Sequence, residues 1–170
     1  MRWLLLAALA VNVPAAAQDL LGGAWTSVND GVMGGVSEGR VAMQDGVLVF
    51  EGRVSLENNG GFASVRRATA ALNAATLQFK LRVRGDGRRY RLTASPGGPS
   101  GAQYAMAFDA PAGSWVEVAV PLAAMRASFR GRPLPDAPPL TAVDVRSVGF
   151  IFGEGQSGAF RLEVGALEAR

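Results

Sequence analysis

Residues 77–84 read LQFKLRVR, an unbroken alternation of apolar and polar side chains. Such an alternation is typical of a β-strand that buries one face against a core and exposes the other to water. Gly85-Asp86-Gly87 follows with the chemistry of a turn, and residues 88–94 resume the alternation. The pattern therefore predicts two strands joined as an antiparallel hairpin.

Strand-like segments recur along the rest of the chain, with glycine or proline between most of them: residues 47–54, 62–67, 103–108, 115–120, 145–152 and 159–167. Only residues 69–75 and 121–125 resemble helix, and both segments are short. We expect an all-β fold, a jelly-roll β-sandwich with about nine antiparallel strands in two sheets. Residues 126–144 would then form one long irregular connection.

The composition excludes much catalytic chemistry. The 170 residues suffice for one domain, and they include neither Cys nor His. Disulfides, thiolate nucleophiles, imidazole bases and metal sites built from Cys or His are therefore excluded. The 17 basic and 14 acidic side chains give a formal charge of +3, a small excess. We expect a protein that is not an enzyme and requires no cofactor.

The first 17 residues have the three parts of a bacterial-type secretory signal peptide. Met1-Arg2 gives a positive start, residues 3–13 form an apolar run, and Ala15-Ala16-Ala17 provides an A-x-A cleavage site. The run is too short to span a bilayer, which takes about 20 apolar residues. We therefore predict a signal peptide at residues 1–17, a single domain at residues 18–170, no transmembrane segment, and export to the periplasm or beyond.

Two glycine-rich loops carry the most distinctive residues. Residues 25–37 read WTSVNDGVMGGVS, and residues 54–66 read VSLENNGGFASVR. Neither loop has the Gly-Lys-Ser/Thr of a phosphate-binding loop. The simplest interpretation is a pair of strand connections, because Asn, Asp and Gly are turn formers. The alternative is a composite patch for sugar hydroxyls or a hard cation, formed by Asn29, Asp30, Glu57, Asn58 and Asn59.

Carboxylates in these loops leave two further possibilities. Asp30, Glu57 and Asp136 are oxygen donors of the kind that calcium prefers, without a dense metal-binding spacing. The sequence therefore leaves a bound metal unknown. Asp30 and Glu57 are also the best candidates for the paired carboxylates of a glycoside hydrolase.

Arginines concentrate on the predicted hairpin, where they would form a basic ribbon: Arg82, Arg84, Arg88, Arg89 and Arg91. Such a ribbon is suited to anionic sugars, lipid headgroups or an acidic protein surface. The alternative is a set of solvated residues that discourage aggregation. Further cations follow at Arg66, Arg126, Arg130 and Arg132.

The arginine and aromatic residues also bear on the class of partner. Aromatic side chains do not interleave with the arginines, and this absence together with the predicted export argues against nucleic acid. Trp25, Trp115, Tyr90 and Tyr104 fall on apolar phases and are expected in the core. The arginines taken as candidates for binding a ligand or partner are Arg66, Arg84, Arg88, Arg130 and Arg132.

Four motifs occur in a characteristic order: residues 29–37 (NDGVMGGVS) after Trp25, residues 58–66 (NNGGFASVR), residues 84–90 (RGDGRRY) and residues 129–132 (FRGR). Together they resemble the complex I intermediate-associated protein 30 family, whose domain is also named for NADH:ubiquinone oxidoreductase. The resemblance extends from Trp25 to the final strand. It implies a galactose-binding-like β-sandwich, in agreement with the strand pattern. It also implies a chaperone-like role in complex I assembly, and it supplies no catalytic residues.

The leading hypothesis is therefore an exported, noncatalytic binding module that acts on a protein partner, as an assembly factor does. The alternative is a carbohydrate-binding module that recognises a polar or anionic glycan through the two glycine-rich loops. A carboxylate-based hydrolase that depends on Glu57 is the third hypothesis. The oligomeric state is left open by the sequence.

Overall fold

A computed structural model describes residues 16–170 of the chain. The predicted signal peptide, residues 1–17, therefore lies almost entirely outside the described residues. Within residues 16–170, no helix has the length and apolar character that crossing a membrane requires.

Thirteen strands form two sheets. The six-stranded sheet contains β1 (Gln18–Asp19), β3 (Glu38–Gln44), β4 (Val47–Val54), β6 (Gln78–Arg84), β9 (Val116–Pro121) and β13 (Gly158–Ala169). The seven-stranded sheet contains β2 (Thr26–Asn29), β5 (Ala63–Ala68), β7 (Arg88–Ser95), β8 (Gln103–Ala110), β10 (Arg126–Phe129), β11 (Arg132–Pro133) and β12 (Ser147–Phe152). The helical segments of residues 16–170 are short 3₁₀ turns: Asp30–Met33, Glu57–Asn59, Leu122–Ala124 and Ala142–Asp144.

The two sheets enclose one core. The order across the six-stranded sheet is β3-β4-β13-β6-β9, with β1 also paired to β13, and the order across the other sheet is β11-β10-β8-β7-β12-β5-β2. Every second side chain of the central strands points between the sheets, as the alternating pattern requires. Phe79, Leu162, Leu92 and Phe150 are among the fully buried residues. The predicted all-β fold with two antiparallel sheets is confirmed.

The predicted hairpin at residues 77–94 is wrong. β6 pairs with β13 and β9 in the six-stranded sheet, whereas β7 pairs with β8 and β12 in the seven-stranded sheet. Residues 85–87 therefore carry the chain from one sheet to the other. Alternation identifies the buried face of a strand but not its neighbours. The buried faces of β6 and β7 meet the same core from opposite sides.

Asp86 fixes this crossing between the sheets. Its carboxylate accepts hydrogen bonds from the Tyr90 hydroxyl on β7 (3.0 Å) and from the backbone N–H of Arg161 on β13 (2.9 Å). Burial raises the pKa of Tyr90, and the nearby charge of Asp86 raises it further, so the hydroxyl remains a donor. A Cβ on Gly85 would lie 2.5 Å from the Cβ of Ala110, which explains the glycine.

Several further elements differ from the predicted ones, and β3 (Glu38–Gln44) was not among the predicted strands. Residues 69–75 form no helix, and residues 121–125 contain one 3₁₀ turn. The connection at residues 126–144 is partly ordered, since β10 and β11 pair with each other and β10 also pairs with β8. The Tyr104 hydroxyl donates to the carbonyl of Pro138 (2.6 Å) and so fastens the proline-rich segment to the sandwich.

Candidate functional site

The two glycine-rich loops lie side by side and are joined at Asp30. Asp30 follows β2 and is fully buried, with 0% of its surface exposed. Its carboxylate accepts hydrogen bonds from the Ser37 hydroxyl (2.5 Å), the Ser37 backbone N–H (2.9 Å) and the Gly61 backbone N–H (2.7 Å). We call residues 30–37 and 55–61 the loop clasp.

The electrostatics of the loop clasp favour an ionised Asp30. Burial raises the pKa of its carboxyl, but the hydrogen bonds from Ser37 and from the N–H of Gly61 together outweigh burial and hold the pKa below its usual value. A Cβ on Gly35 would lie 2.3 Å from the Asp30 side chain, and a Cβ on Gly60 would lie 2.4 Å from it. One glycine of each pair, Gly35 in the first loop and Gly60 in the second, is therefore required to admit this carboxylate.

The structure brings the five predicted loop residues together but gives them different positions. Asp30 is inaccessible, and Asn29 donates from Nδ2 to a carbonyl of β3 (3.2 Å), which ties the edges of the two sheets. Glu57, Asn58 and Asn59 are exposed at the tip of the second loop. Asn58 and Asn59 have φ of 55° and 57°, a left-handed conformation that asparagine tolerates. The last three are thus exposed, whereas Asn29 is half-buried and lines a cleft of about 600 Å³ at the edges of the two sheets.

The burial of Asp30 also bears on the metal and hydrolase hypotheses. Its oxygens already accept hydrogen bonds, so Asp30 and Glu57 do not form a pair of accessible carboxylates. Among residues 16–170, acidic side chains nowhere form a group of three that could hold a metal ion. The loop clasp is thus a structural connection whose outer tip is free for recognition.

The predicted basic ribbon does not form, because β6 and β7 belong to different sheets. Arg84, on the six-stranded sheet, donates from Nε to Glu163 (2.5 Å). Arg88 donates to the carbonyls of Ser157 (2.7 Å) and Ala159 (3.0 Å), and so fastens the beginning of β13. Both arginines are engaged in contacts within the fold.

A ladder of ion pairs crosses the outer face of the six-stranded sheet. Arg40 pairs with Glu51, Arg161 pairs with both Glu51 and Glu163, and Arg84 completes the ladder at Glu163. The hydrogen bond from Arg40 lowers the pKa of Glu51, and the hydrogen bond from Arg84 lowers the pKa of Glu163. Each carboxylate lies between two guanidinium groups, so the charges of Glu51 and Glu163 are compensated.

Trp115 lies on this same outer face, so its predicted position in the core is wrong. A Cβ on Gly165 of β13 would lie 3.1 Å from the indole ring. The guanidinium groups of Arg82 and Arg84 lie 4.6 Å and 4.7 Å from the ring centroid. Val116 packs against the core, and alternation therefore turns the preceding Trp115 outward.

A row of residues on five neighbouring strands crosses the outer face of the seven-stranded sheet. In strand order the paired residues are Arg126, Ala105, Thr93, Gly149 and Arg66. Directly paired residues of an antiparallel sheet share a face. Strands lie about 4.8 Å apart, so the backbones of the two arginines are separated by about 19 Å. We call this row the cross-strand trench, because small residues lie between two long ones.

Gly149 keeps the floor of the trench low. Val148 and Phe150 are buried in the core, so the open side of Gly149 faces outward. A Cβ at this position would lie 2.4 Å from the carbonyl oxygen of Val65 and 2.9 Å from the Thr93 hydroxyl. Glycine is therefore the residue that fits, and both Gly149 and the neighbouring Thr93 are buried beneath the side chains around them.

Polar side chains flank one side of the trench in paired positions: Ser95 with Ser147, and Gln103 with Ser128. On the other side, Arg91 forms an ion pair with Glu154. A cleft of about 610 Å³ opens at the Arg126 end of the trench, and its lining includes Arg91, Ala105, Ala107, Ser128 and Gly131. The cleft beside β10 is thus the part of the trench that has room for a ligand.

The arginines at the ends of the trench differ from those of the ladder. Among residues 16–170, neither Arg66 nor Arg126 forms an ion pair with an acidic side chain. One Nη of Arg126 donates to the carbonyl of Ala123 (3.1 Å), which steadies its side chain. Arg130 and Arg132 lie at the turn between β10 and β11, next to the cleft. The face therefore carries uncompensated positive charge.

Of the predicted arginine candidates, Arg66, Arg130 and Arg132 belong to the face with the trench. The trench itself was not predictable from side-chain chemistry, because Ala105, Thr93 and Gly149 acquire their significance only through strand register. One feature of the sequence could have indicated it, the glycine inside the apolar run at residues 147–152. A glycine within a strand often marks a place where another group comes close to the backbone.

Comparison with known families identifies the chain. The sequence model of the family described as complex I intermediate-associated protein 30 matches residues 16–164, which is most of the chain. This match confirms the resemblance carried by the four ordered motifs. A search of curated proteins finds no significant match.

Solved structures show the same fold in other proteins. The family 11 carbohydrate-binding module of the cellulase Lic26A-Cel5E of Clostridium thermocellum has a TM-score of 0.67 at 13% identity, over 89% of this chain and 90% of that module. A second structure of the Clostridium thermocellum module, in complex with a β-1,3-1,4-mixed-linked tetrasaccharide, has a TM-score of 0.66 at 13% identity, over 89% of this chain and 92% of that one. The agarase AgWH50C has a TM-score of 0.57 at 11% identity, over 90% of this chain but 24% of the agarase. These similarities confirm the galactose-binding-like jelly roll.

Proposed function

The chain belongs to the complex I intermediate-associated protein 30 family, and we propose that it is a noncatalytic binding module that holds a glycan in the cross-strand trench. One observation carries the proposal: small residues lie between Arg126 and Arg66 across the seven-stranded sheet. A ligand that enters the cleft beside β10 meets Ala105, Ser128 and the side chain of Arg126.

The chemistry of the trench supports a sugar ligand. Sugar hydroxyls both donate and accept hydrogen bonds, and the serine and glutamine side chains beside the trench do the same. The carbohydrate-binding module with a similar fold was solved with a bound tetrasaccharide, so a sandwich of this kind can bind a glycan. The absence of catalysis is supported by the buried, hydrogen-bonded state of Asp30.

A glycan array tests the proposal with a variant that fills the trench. Ala105→Gln places a longer neutral side chain in the middle of the cleft, and Ala119→Gln makes the same change on the exposed outer face of β9 in the other sheet. We expect the wild-type protein to bind at least one class of glycan, Ala105→Gln to bind about 10-fold more weakly, and Ala119→Gln to bind normally. Absence of any glycan binding, or normal binding by Ala105→Gln, would contradict the proposal.

A protein partner, as the family description implies, is the second candidate. The observation in its favour lies on the loop clasp, where Val36 and Leu56 are each 51% exposed. Exposed apolar side chains with a polar surround are typical of interaction sites. Leu56→Ser is then expected to abolish recovery of a partner from envelope extracts while leaving glycan binding intact. Recovery of the same partner by Leu56→Ser would remove this candidate.

We also propose that the protein is exported, with cleavage after Ala17. β1 begins at Gln18 and pairs with β13 (Gln18 opposite Ala169), so the predicted cut falls directly before the first strand. The mass and N-terminal sequence of the protein recovered from cells test this proposal. A mature chain that begins at Gln18 in the periplasm or medium is expected, and an intact Met1 in the cytoplasm would contradict it.

A further inference from the structure

Two turns beside the cleft at β10 hold long charged residues in a backbone conformation that suits them poorly. Glu154 has φ of 58° and Arg130 has φ of 47°, and each precedes a glycine with positive φ. A turn with positive φ at both central residues favours Asn, Asp or Gly at the first of them. The turn between β3 and β4 follows this preference with Asp45. The two exceptions border the same cleft, since Glu154 and Gly131 belong to its lining.

The carboxylate of Glu154 and the guanidinium group of Arg91 form one wall of the cleft. Resting on the glycan-binding function proposed above, we infer that this pair recognises two neighbouring hydroxyl groups of a sugar ring, and that the cleft therefore selects glycans with vicinal hydroxyl groups. Arg91 lies on β7, opposite Ala107 of β8, and forms an ion pair with Glu154. The two side chains are 39% and 43% exposed and both line the cleft, so a ligand can contact them directly.

The position of Glu154 indicates a role beyond the fold. An exposed ion pair contributes little to stability, whereas a non-glycine residue with positive φ carries a backbone cost that glycine does not have. Residues held in such conformations occur most often at ligand-binding and active sites. Glycine at residue 154 would suit the turn better but would leave the cleft without its carboxylate.

The ion pair places hydrogen-bond donors directly beside acceptors. A guanidinium group carries several N–H donors and a carboxylate carries several lone pairs, so both groups retain unused capacity after they have paired. Hydroxyl groups on adjacent ring carbons match this arrangement, because one can accept from Arg91 while its neighbour donates to Glu154. Hydroxyl groups on alternate carbons lie farther apart and match it less well.

The rest of the lining suits a sugar ring. Ala105 and Ala107 place methyl groups on β8, the strand between Arg91 on β7 and Arg126 on β10, and both alanines are half-buried and thus accessible. Ser128 adds a hydroxyl group to the lining. Sites that bind small molecules typically combine such apolar surface with a few polar groups that fix orientation. The C–H face of a ring can lie on the methyl groups while its hydroxyl groups reach the ion pair.

The test uses pairs of hexasaccharides that contain the same neutral sugar in different linkages. The pairs are cellohexaose with laminarihexaose, and the β-1,4-linked with the β-1,3-linked chains of galactose and of xylose. A β-1,4 linkage leaves neighbouring hydroxyl groups free on every internal unit, whereas a β-1,3 linkage leaves none there. Titration calorimetry is expected to show that at least one β-1,4-linked chain binds, and that it binds at least about 10-fold more tightly than its β-1,3-linked partner.

Variants of Glu154 separate a role in binding from a role in the fold. Glu154→Gln and Glu154→Gly are each expected to weaken binding of that chain about 10-fold. Glu154→Gly is also expected to melt at the same temperature as wild type or higher, because glycine suits the positive φ. Asp45→Gly is the matched control, since it makes the same kind of change at the first position of the turn between β3 and β4, outside the cleft. It is expected to leave binding unchanged.

The outcomes distinguish this inference from the proposed function. Equal affinity for both chains of every pair, reduced by Ala105→Gln but not by Glu154→Gln, would overturn the selectivity for vicinal hydroxyl groups and leave glycan binding in place. A lower melting temperature of Glu154→Gly together with normal binding would assign Glu154 to the fold and would also overturn the inference. Failure to bind any glycan would overturn both the inference and the proposed function.

Discussion

Asp30 shows how a residue that resembles a ligand group serves the fold. It is fully buried, and its carboxylate accepts hydrogen bonds from Ser37 and from the N–H of Gly61, which belongs to the second glycine-rich loop. The same hydrogen bonds that join the loops hold its pKa below the usual value of 3.8. Asp30 therefore contributes stability in its ionised form.

The pH dependence of stability follows from the lowered pKa. The contribution of Asp30 is complete above the pKa of an unfolded aspartate and is lost as the pH falls through the lower folded value. We expect Asp30→Asn to reduce the free energy of unfolding by about 2 kcal/mol at neutral pH, because hydrogen bonds to a charged acceptor are lost. The difference from wild type should narrow as the pH falls below about 4.

Urea unfolding at several pH values measures this effect. Glu57→Gln is the control, since it removes an exposed carboxylate from the same loop clasp and should change stability by less than about 0.5 kcal/mol. If the free energy of unfolding of Asp30→Asn stays below that of wild type by the same amount from neutral to acidic pH, the ionised carboxylate is not the stabilising form.

The glycines next to Asp30 allow a second test at the level of single atoms. A Cβ on Gly35 would lie 2.3 Å from Asp30 Cγ, whereas a Cβ on Gly31 would meet nothing within 4 Å. Gly35→Ala is expected to destabilise the protein by about 1 to 3 kcal/mol through overpacking, and Gly31→Ala by no more than about 0.5 kcal/mol. Thermal unfolding compares the two, and equal effects would contradict the close approach of Gly35 to the carboxylate.

Among the connections between the two sheets, the crossing from β6 to β7 is held by hydrogen bonds to Asp86. The Tyr90 hydroxyl and the Arg161 N–H both donate to Asp86, and Tyr90 is 1% exposed. Asp86→Ala is expected to cost about 2 kcal/mol, because it leaves a buried hydroxyl without a partner. Tyr90→Phe is expected to cost about 1 kcal/mol.

A double-mutant cycle decides whether these two residues act together. The combined variant Asp86→Ala/Tyr90→Phe should be more stable than the sum of the single effects predicts, by about 1 kcal/mol, since the unsatisfied hydroxyl is removed. Additive effects in chemical denaturation would show that the hydrogen bond between Tyr90 and Asp86 contributes nothing to the crossing.

Strand patterns predicted the fold better than they predicted its connections. The alternation of residues 77–84 identified β6 and its buried face, because burial on one side imposes a period of two. Which strands pair with β6 depends on contacts with distant parts of the chain. The predicted pairing of β6 with β7 was therefore wrong, and the basic ribbon, which required that pairing, was wrong as well. The short strands β10 and β11 carry too few residues to show a period, and they were assigned to an irregular connection.

The sequence likewise predicted some features of the candidate site and missed others. Turn chemistry and paired glycines identified both loops as strand connections, because Asn, Asp and Gly report local backbone conformation. That the two loops meet was only the alternative interpretation. They could not report that Asp30 is buried, which depends on donors from both loops. The trench combines residues from five strands, and its existence follows from register rather than from any local motif.

Considered as a whole, the molecule carries two classes of surface arginine. Arg40, Arg84 and Arg161 form ion pairs with Glu51 and Glu163 on the six-stranded sheet, whereas Arg66 and Arg126 on the opposite face form no ion pair within residues 16–170. Charges that are paired contribute to stability, and charges that are unpaired remain available for a ligand. Substitutions on the two faces should therefore have opposite consequences.

Two variants make that contrast measurable: the single variant Arg161→Gln and the double variant Arg66→Gln/Arg126→Gln. Arg161 bridges Glu51 and Glu163 but is 44% exposed, so after allowance for solvent screening its loss is expected to cost only about 1 kcal/mol of stability. The deficit should diminish at about 1 M salt, where the ion pairs are screened. The double variant should unfold within about 0.5 kcal/mol of wild type and lose glycan binding, which Arg161→Gln should retain. A destabilised double variant with normal binding would assign the arginines of the trench to the fold, because a residue kept for a ligand has no reason to stabilise the protein without it.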